Sequence, residues 1–336
     1  MKLNKTIFYI LGIFVFFVSS LNNILYAKEQ NLLHVSYDPT RELYQKINKS
    51  FIEYWEKSFQ NKIRIKQSHG GSSKQARAIL DGLEADIVSL AIPYDIDILA
   101  KRNFVSSNWR ELFPNNSSPY SSTIIFLVRK NNPKQIKDWD DLIREDISVI
   151  TPNPKTSGGA RWNYLAAWAY AYQNYNDEEL ATKFIRKLYK NVPILDTGAR
   201  GSSISFIQRD IGDVLISWEN EALLALEQFG KDNFEIVIPS ISIKIDLPIA
   251  IVESIVDKHN TKIAAKAYIE FLFSDHAQEI IATNYYRPVK DSIIKKYENK
   301  FFKINAIEAS ILGDSDELHN KHFGENGLFD QIYENR

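Results

Sequence analysis

Lys155-Thr156-Ser157-Gly158-Gly159-Ala160-Arg161 stands between a short apolar run, Ser148 to Thr151, and a helical stretch through Trp162 to Tyr172. A strand that ends in a Gly/Ser-rich turn and passes into a helix is the working unit of α/β structure. The same event occurs at His69-Gly70-Gly71-Ser72-Ser73, between the alternating run Lys62 to Gln67 and a helix expected over Lys74 to Leu83. It occurs again at Asp196-Thr197-Gly198-Ala199-Arg200-Gly201-Ser202, after the short strand Ile194-Leu195. Asp38 marks a fourth turn, between a strand over Leu32 to Tyr37 and a helix from Pro39 to Phe59. There Asp38 takes an N-cap position, and Pro39 falls in the first turn, where its missing N–H costs nothing. Turns of this kind expose N–H groups that the helix leaves unsatisfied, and the positive end of the helix dipole favours an anion beside them. In open α/β sheets, ligands bind at the carboxyl ends of the strands, where all four turns lie.

Working outward, Asp86 to Ala91 reads as a nearly all-apolar strand inside a covered sheet. Thr123 to Arg129, Val214 to Ser217 and Phe234 to Ile238 are further strands, and Trp218 sits at the end of the second. Glu178 to Tyr189 is another helix, and a long helical tail starts at Lys262. Two extended segments, around Pro119 to Arg129 and Pro239 to Ile251, could each pass between lobes. The expectation is therefore two α/β lobes joined by two crossings, with a ligand cleft between them. One lobe would take residues 28–122 and 244–336, the latter including the tail, and the other 123–243. One continuous doubly wound sheet is the rival arrangement.

Composition narrows the class. The 336 residues are 44% hydrophobic and 25% charged, enough for a substantial core. A formal net charge of -1 argues against nucleic acid, whose phosphates require a basic excess. It also means that local donors, rather than a broad positive field, would have to hold an anionic ligand. No cysteine is present, which excludes disulfides, zinc–thiolate sites, cysteine nucleophiles and lipid attachment at a cysteine, and suits an oxidising compartment. Lys2 and Lys5, an apolar run from Ile7 to about Leu21, and Leu25-Tyr26-Ala27 follow the order of a secretory signal peptide. Residues 1–27 are expected to be removed, leaving a soluble, exported chain that begins near Lys28; a membrane anchor is the competing reading.

Catalytic signatures do not assemble. Ser157 lacks the G-x-S-x-G elbow and has no histidine near it in sequence, and neither phosphate-loop signature occurs. His34, His69, His259 and His276 are scattered, and His319-x-x-His322 has helical spacing but no evident acidic third ligand. The chain is read as a non-enzyme with neither a metal nor a cofactor.

Several stretches carry a family resemblance. They are Ser36-Tyr37-Asp38-Pro39-Thr40-Arg41-Glu42, Gln67-Ser68-His69-Gly70-Gly71-Ser72, and Pro152-Asn153-Pro154 running through Lys155-to-Arg161 into Trp162-Asn163-Tyr164. Gly198-Ala199-Arg200-Gly201, Asp213-Val214-Leu215-Ile216-Ser217-Trp218-Glu219-Asn220-Glu221 and Tyr286-Arg287-Pro288 complete the set. Together they resemble the periplasmic sulfate-binding proteins of ABC importers, over essentially the whole mature chain, and the thiosulfate-binding relatives share most of them. The resemblance implies a type II periplasmic-binding-protein fold that closes over a dehydrated oxyanion, and a membrane permease as partner of a monomeric protein. By the same resemblance the backbone N–H groups of Asp38, Ser72, Gly158, Gly159 and Ala199 would donate to the ligand, with the Ser157 hydroxyl and the Trp218 indole N–H. Arg161 and Arg200 are expected to support the loops rather than to salt-bridge the anion. Ser73 stands where the family often has glycine, and Ile241 to Ile249 is unusually aliphatic.

The chemistry of such a site is sound without the resemblance. About seven donors, each worth ~1.5–3 kcal/mol net toward an ion, offset the desolvation of a dianion. Sulfate is fully deprotonated and needs only donors, whereas hydrogen phosphate would leave its proton facing another hydrogen. An inward Asp38 carboxylate would remove that discrimination, so its side chain is expected to turn away and cap the helix. Phosphate, molybdate or an organic anion are the alternative ligands.

Overall fold

The structure, a computed structural model, describes residues 29–230 and 232–334; the expected signal peptide lies outside them. Two sheets organise the chain. The first contains β1 (Gln30–Tyr37), β2 (Ile63–Gly70), β3 (Ile87–Ser89) and β10 (Ile249–Ile251), in the order β10-β3-β1-β2. The second contains β4 (Tyr120–Arg129), β5 (Val149–Pro152), β6 (Leu195–Asp196), β7 (Val214–Trp218), β9 (Ser242–Asp246) and β12 (Ala306–Glu308), in the order β12-β9-β4-β7-β5-β6. Strands β8 (Phe234–Val237) and β11 (Arg287–Pro288) pair with the two ends of β4. Each sheet with its helices makes one lobe.

The chain leaves the first sheet after β3, enters the second at β4, and returns from β9 to β10. These passages coincide with the two extended segments, and they run side by side: Ser121 pairs with Asp246 and Thr123 with Lys244, antiparallel. A long strand suits this place because β4 is buried along nearly its whole length, from Tyr120 to Val128. The tail adds a third passage, since β12 pairs in parallel with β9 and brings residues 306–308 back to the second sheet.

Helices follow the strands at their carboxyl ends, except that Glu178–Lys190 follows another helix. They are α1 (Arg41–Phe59), α2 (Ser72–Leu80), α3 (Pro93–Lys101), α4 (Gly158–Tyr175), α5 (Glu178–Lys190), α6 (Ala199–Ile207) and α7 (Glu219–Phe229). Parallel pairing aligns the strand ends within each lobe: Tyr37 is opposite Gly70, and Pro152 opposite Asp196. Helix α4 is buried at every position from Gly158 to Ala171, so no polar face marks it in the sequence.

Several expectations needed correction. β2 runs through Gly70, so α2 begins at Ser72 instead of Lys74, because the β1–β2 ladder continues to its last residues and Gly71 takes the turn. A 3₁₀ turn over Asp38–Thr40 precedes α1, and the Asp38 side chain caps nothing. The expected long tail helix is broken into Lys262–Leu272, Asp275–Thr283 and Asp291–Lys296, followed by β12 and shorter turns. Ser274 starts the second piece as its N-cap, and Pro288 sits in a strand between the second and third.

Candidate functional site

At the end of β1 the backbone of Tyr37 is extended and Asp38 opens the 3₁₀ turn. The Asp38 carboxylate accepts a hydrogen bond from Arg41 Nη2 at 2.7 Å, turned along its own helix. At the end of β2, Ser72 is fully buried and is the first residue of α2. Its Oγ donates to the Asp95 carboxylate and accepts from the Ala91 N–H at 3.0 Å, while Ser73 Oγ also donates to Asp95 at 3.0 Å. Burial lifts the pKa of Asp95 above the ordinary carboxylate value, against the pull of Arg161 and the two serine hydroxyls.

The second lobe supplies three more elements. Ser157 is the N-cap of α4, and its Oγ accepts from the Ala160 N–H at 3.4 Å, which leaves the hydroxyl proton free to donate elsewhere. Gly158 and Gly159 open α4, and Ala199 opens α6 after extended Gly198. Trp218 ends β7, is 3% exposed, and directs Nε1 toward the Gly159 carbonyl at a long 3.4 Å. The N–H groups of Ser72, Gly158, Gly159 and Ala199 fall in first helical turns, where the helix supplies no partner.

Contacts at the glycines show that these elements meet. A Cβ on Gly158 would lie 2.8 Å from the side chains of both Ala91 and Ser72, and one on Gly71 would lie 2.6 Å from the Thr156 carbonyl. A Cβ on Gly159 would run into Tyr37 Oη and sit 3.4 Å from Trp218 Nε1. Glycine here is a matter of close approach between lobes, not of backbone conformation. Trp162 Nε1 adds a direct link by donating to the Ala91 carbonyl at 2.7 Å. Ala199 joins Gly159 and Trp218 on the wall of one narrow cavity that also touches Ser202 and Glu221.

The neighbouring cations are engaged elsewhere. Arg41 pairs with Asp38, and Arg200 Nη2 pairs across the lobes with Glu42 at 2.8 and 3.1 Å. Arg161 Nε donates to the Pro154 carbonyl at 2.9 Å, and its guanidinium lies 5.2 Å from the Phe323 ring centre. Lys155 Nζ pairs with Asp330 at 2.7 Å.

Four residues of this region carry roles that the sequence does not assign: Tyr37, Glu42 and Glu221, which stand within the motifs, and Asp95. Glu221 is the most consequential, a buried carboxylate on the cavity wall whose Oε1 has no hydrogen-bond partner among the described residues. Burial, opposed by Arg200 and reinforced by Glu42 and Asp38, pushes its pKa up to about 7. Its place three residues after Trp218, in the first turn of α7, is the available signal. Asp95 had none, since only the fold brings it to Ser72. Three histidines are held by neighbours: His34 Nε2 meets Ser89 Oγ at 2.8 Å, His319 stacks on Tyr94 at 3.7 Å, and His322 lies edge-on to Trp168 at 4.7 Å; His259 pairs with Glu84 and Asp86. Among the described residues no three His, Cys, Asp or Glu side chains are grouped to hold a metal, and no helix is long and apolar enough to cross a membrane.

Comparison with known proteins agrees with this architecture. Residues 32–287 match the family model of the bacterial extracellular solute-binding proteins. The sulfate-binding protein of Escherichia coli (strain K12) is 54% identical over 308 residues, which cover 91% of this chain and 94% of its own. A thiosulfate-binding protein of Pseudomonas aeruginosa is 44% identical, with 90% and 92% covered. The solved sulfate-binding protein SubI from Mycobacterium tuberculosis H37Rv superposes with a TM-score of 0.77 at 30% identity, covering 88% of this chain and all of that one. With its two-lobed fold and these relatives, the chain belongs to the bacterial extracellular solute-binding proteins, in the group that holds the sulfate- and thiosulfate-binding proteins.

Proposed function

We propose that this protein captures sulfate outside the cytoplasm and delivers it to the permease of an ABC importer, without catalysing a reaction on it. One observation carries the reading. The turn of Ser157, Gly158 and Gly159 packs against Ser72 and Trp218, and Ala199 lines a cavity with Gly159 and Trp218, while Arg41, Arg200, Arg161 and Lys155 nearby are paired with other groups. The N–H groups of Ser72, Gly158, Gly159 and Ala199, the Ser157 hydroxyl and Trp218 Nε1 would then serve as the donors. With the N–H of Asp38, that is a donor set made of peptide and neutral side-chain dipoles. Such a set favours a fully deprotonated dianion, and exclusion of water between the lobes strengthens each bond.

The protein acts as a monomer in the periplasm after loss of residues 1–27, with one lobe from 28–122 and from 244 onward and the other from 123–243, to which the tail strands Arg287–Pro288 and Ala306–Glu308 return. The Asp38 carboxylate, held by Arg41, does not serve a phosphate proton. Thiosulfate, with the same charge and a similar shape, is the second ligand that the relatives favour. Calorimetric titration of the mature, desalted protein with sulfate, thiosulfate and phosphate tests the proposal. Sulfate or thiosulfate should bind and phosphate should not compete from pH 6 to 8; phosphate affinity equal to that of sulfate would refute the donor-only site.

A further inference from the structure

The C-terminal segment reaches the loop that would hold the anion, from a direction the tail's sequence did not suggest. Lys155, two residues before Ser157, extends its ammonium away from the cleft to three acceptors of the tail. These are the carbonyls of Phe323 and Gly324, both at 3.0 Å, and Asp330 Oδ2 at 2.7 Å. Asp330 Oδ2 is itself oriented by the Asn326 N–H at 3.1 Å. On the far side of the loop, Arg161 Nη1 donates to His319 Nδ1 at 3.3 Å while Nε holds the Pro154 carbonyl. Residues 319–330 thus grip the Ser157–Gly159 loop at both flanks.

This grip has a firm base. Phe323, Phe329 and Ile332 are all buried. Phe323 and Phe329 pack edge-on against Tyr164 of α4, at 5.1 and 6.3 Å between ring centres, and Phe329 meets Tyr189 of α5 at 5.2 Å. Within the loop, the N–H groups of Thr156 and Ser157 both donate to the Asn153 carbonyl, at 3.1 and 2.9 Å, so Lys155 lies inside the same turn that aims Ser157 and Gly158. A shift of Lys155 is therefore carried to the donors.

We propose that Lys155 and Asp330 are positioning residues for oxyanion binding: the tail carboxylate fixes the Lys155 ammonium, which fixes the donor loop. This inference rests on the anion reading above. It makes a prediction of opposite sign to simple electrostatics. Asp330→Asn removes a negative charge, which by charge alone should tighten binding of an anion. If Asp330 positions the loop, the variant instead weakens sulfate binding by about threefold to tenfold, the effect of one or two hydrogen bonds lost to misalignment.

The experiment is calorimetric titration of the mature wild type and Asp330→Asn with sodium sulfate, together with amide hydrogen exchange over residues 155–161 in the sulfate-free proteins. Weaker binding with faster exchange at Gly158 and Gly159 supports the proposal; unchanged or tighter binding overturns it. Lys155→Gln provides a second arm if the first variant folds poorly. Its loss of affinity should persist as salt is raised, whereas a purely electrostatic loss fades with screening. If the wild type binds no sulfate, the anion reading fails separately. The exchange arm then decides the positioning claim, which is overturned if exchange at Gly158 and Gly159 does not change.

Discussion

Replacing Glu221 with Gln should stabilise the ligand-free protein, and the gain should depend on pH. The carboxyl is buried on the cavity wall, with Oε1 unpartnered and Glu42 and Asp38 adding negative charge nearby; Arg200 offsets only part of this. Folding therefore favours the protonated form, and the pKa rises from its ordinary 4.5 to about 7. The sign follows directly. Below pH 4.5 the group is neutral in both folded and unfolded chains and costs nothing. Between 4.5 and 7 the unfolded chain ionises while the folded one resists, so stability falls as pH rises, and the penalty is complete above 7. At ~1.4 kcal/mol per pH unit, that interval corresponds to about 3 kcal/mol. Gln keeps the shape of a protonated Glu and does not titrate. Urea denaturation should show Glu221→Gln more stable than wild type by about 3 kcal/mol at pH 8 and by under about 1 kcal/mol at pH 5. Equal gains at the two pH values, or a loss at pH 8, would show that Glu221 is ionised and well solvated in the folded protein.

Other expectations concern the cleft itself. Ser157→Ala removes both a ligand donor and the N-cap of α4. It should weaken sulfate binding by ~1–3 kcal/mol and lower stability by ~0.5–2 kcal/mol, read by calorimetry and by thermal melting. Gly159→Ala places a Cβ against Tyr37 Oη and should abolish or greatly reduce binding; adding Tyr37→Phe should restore part of it, and no restoration would show that another contact sets the limit. Glu42→Gln breaks the inter-lobe pair with Arg200, both side chains of which are 34% exposed. Its effect on affinity should be small, within ~1 kcal/mol, and should shrink as salt is added.

Much of this protein could be read along the chain. Strand, turn and helix follow one another visibly at Leu32–Glu42, where the turn is Asp38-Pro39, and at Lys62–Leu83 and Ser148–Tyr172, where it is rich in Gly and Ser, because such turns have strong local composition signals. The two crossing segments were legible as extended stretches bounded by prolines. The tail was harder. Its helices are short, its two strands are two and three residues long, and its course is set by Phe323 and Phe329 finding Tyr164 rather than by any periodicity. Helix α4 likewise hides its surroundings, since a helix buried all round has no polar face to read.

The sequence by itself marks where strands turn into helices and excludes thiol chemistry, since turns carry a local composition signal and composition is a count; the candidate donors on those turns are what the family resemblance implies. What only tertiary structure decided is which turns meet and which charges are already taken. The approach of Gly158 to Ser72, of Gly159 to Tyr37, and the pairing of Arg200 with Glu42 join residues far apart along the chain. Contacts at that separation depend on how two sheets pack, and packing is a property of the whole core.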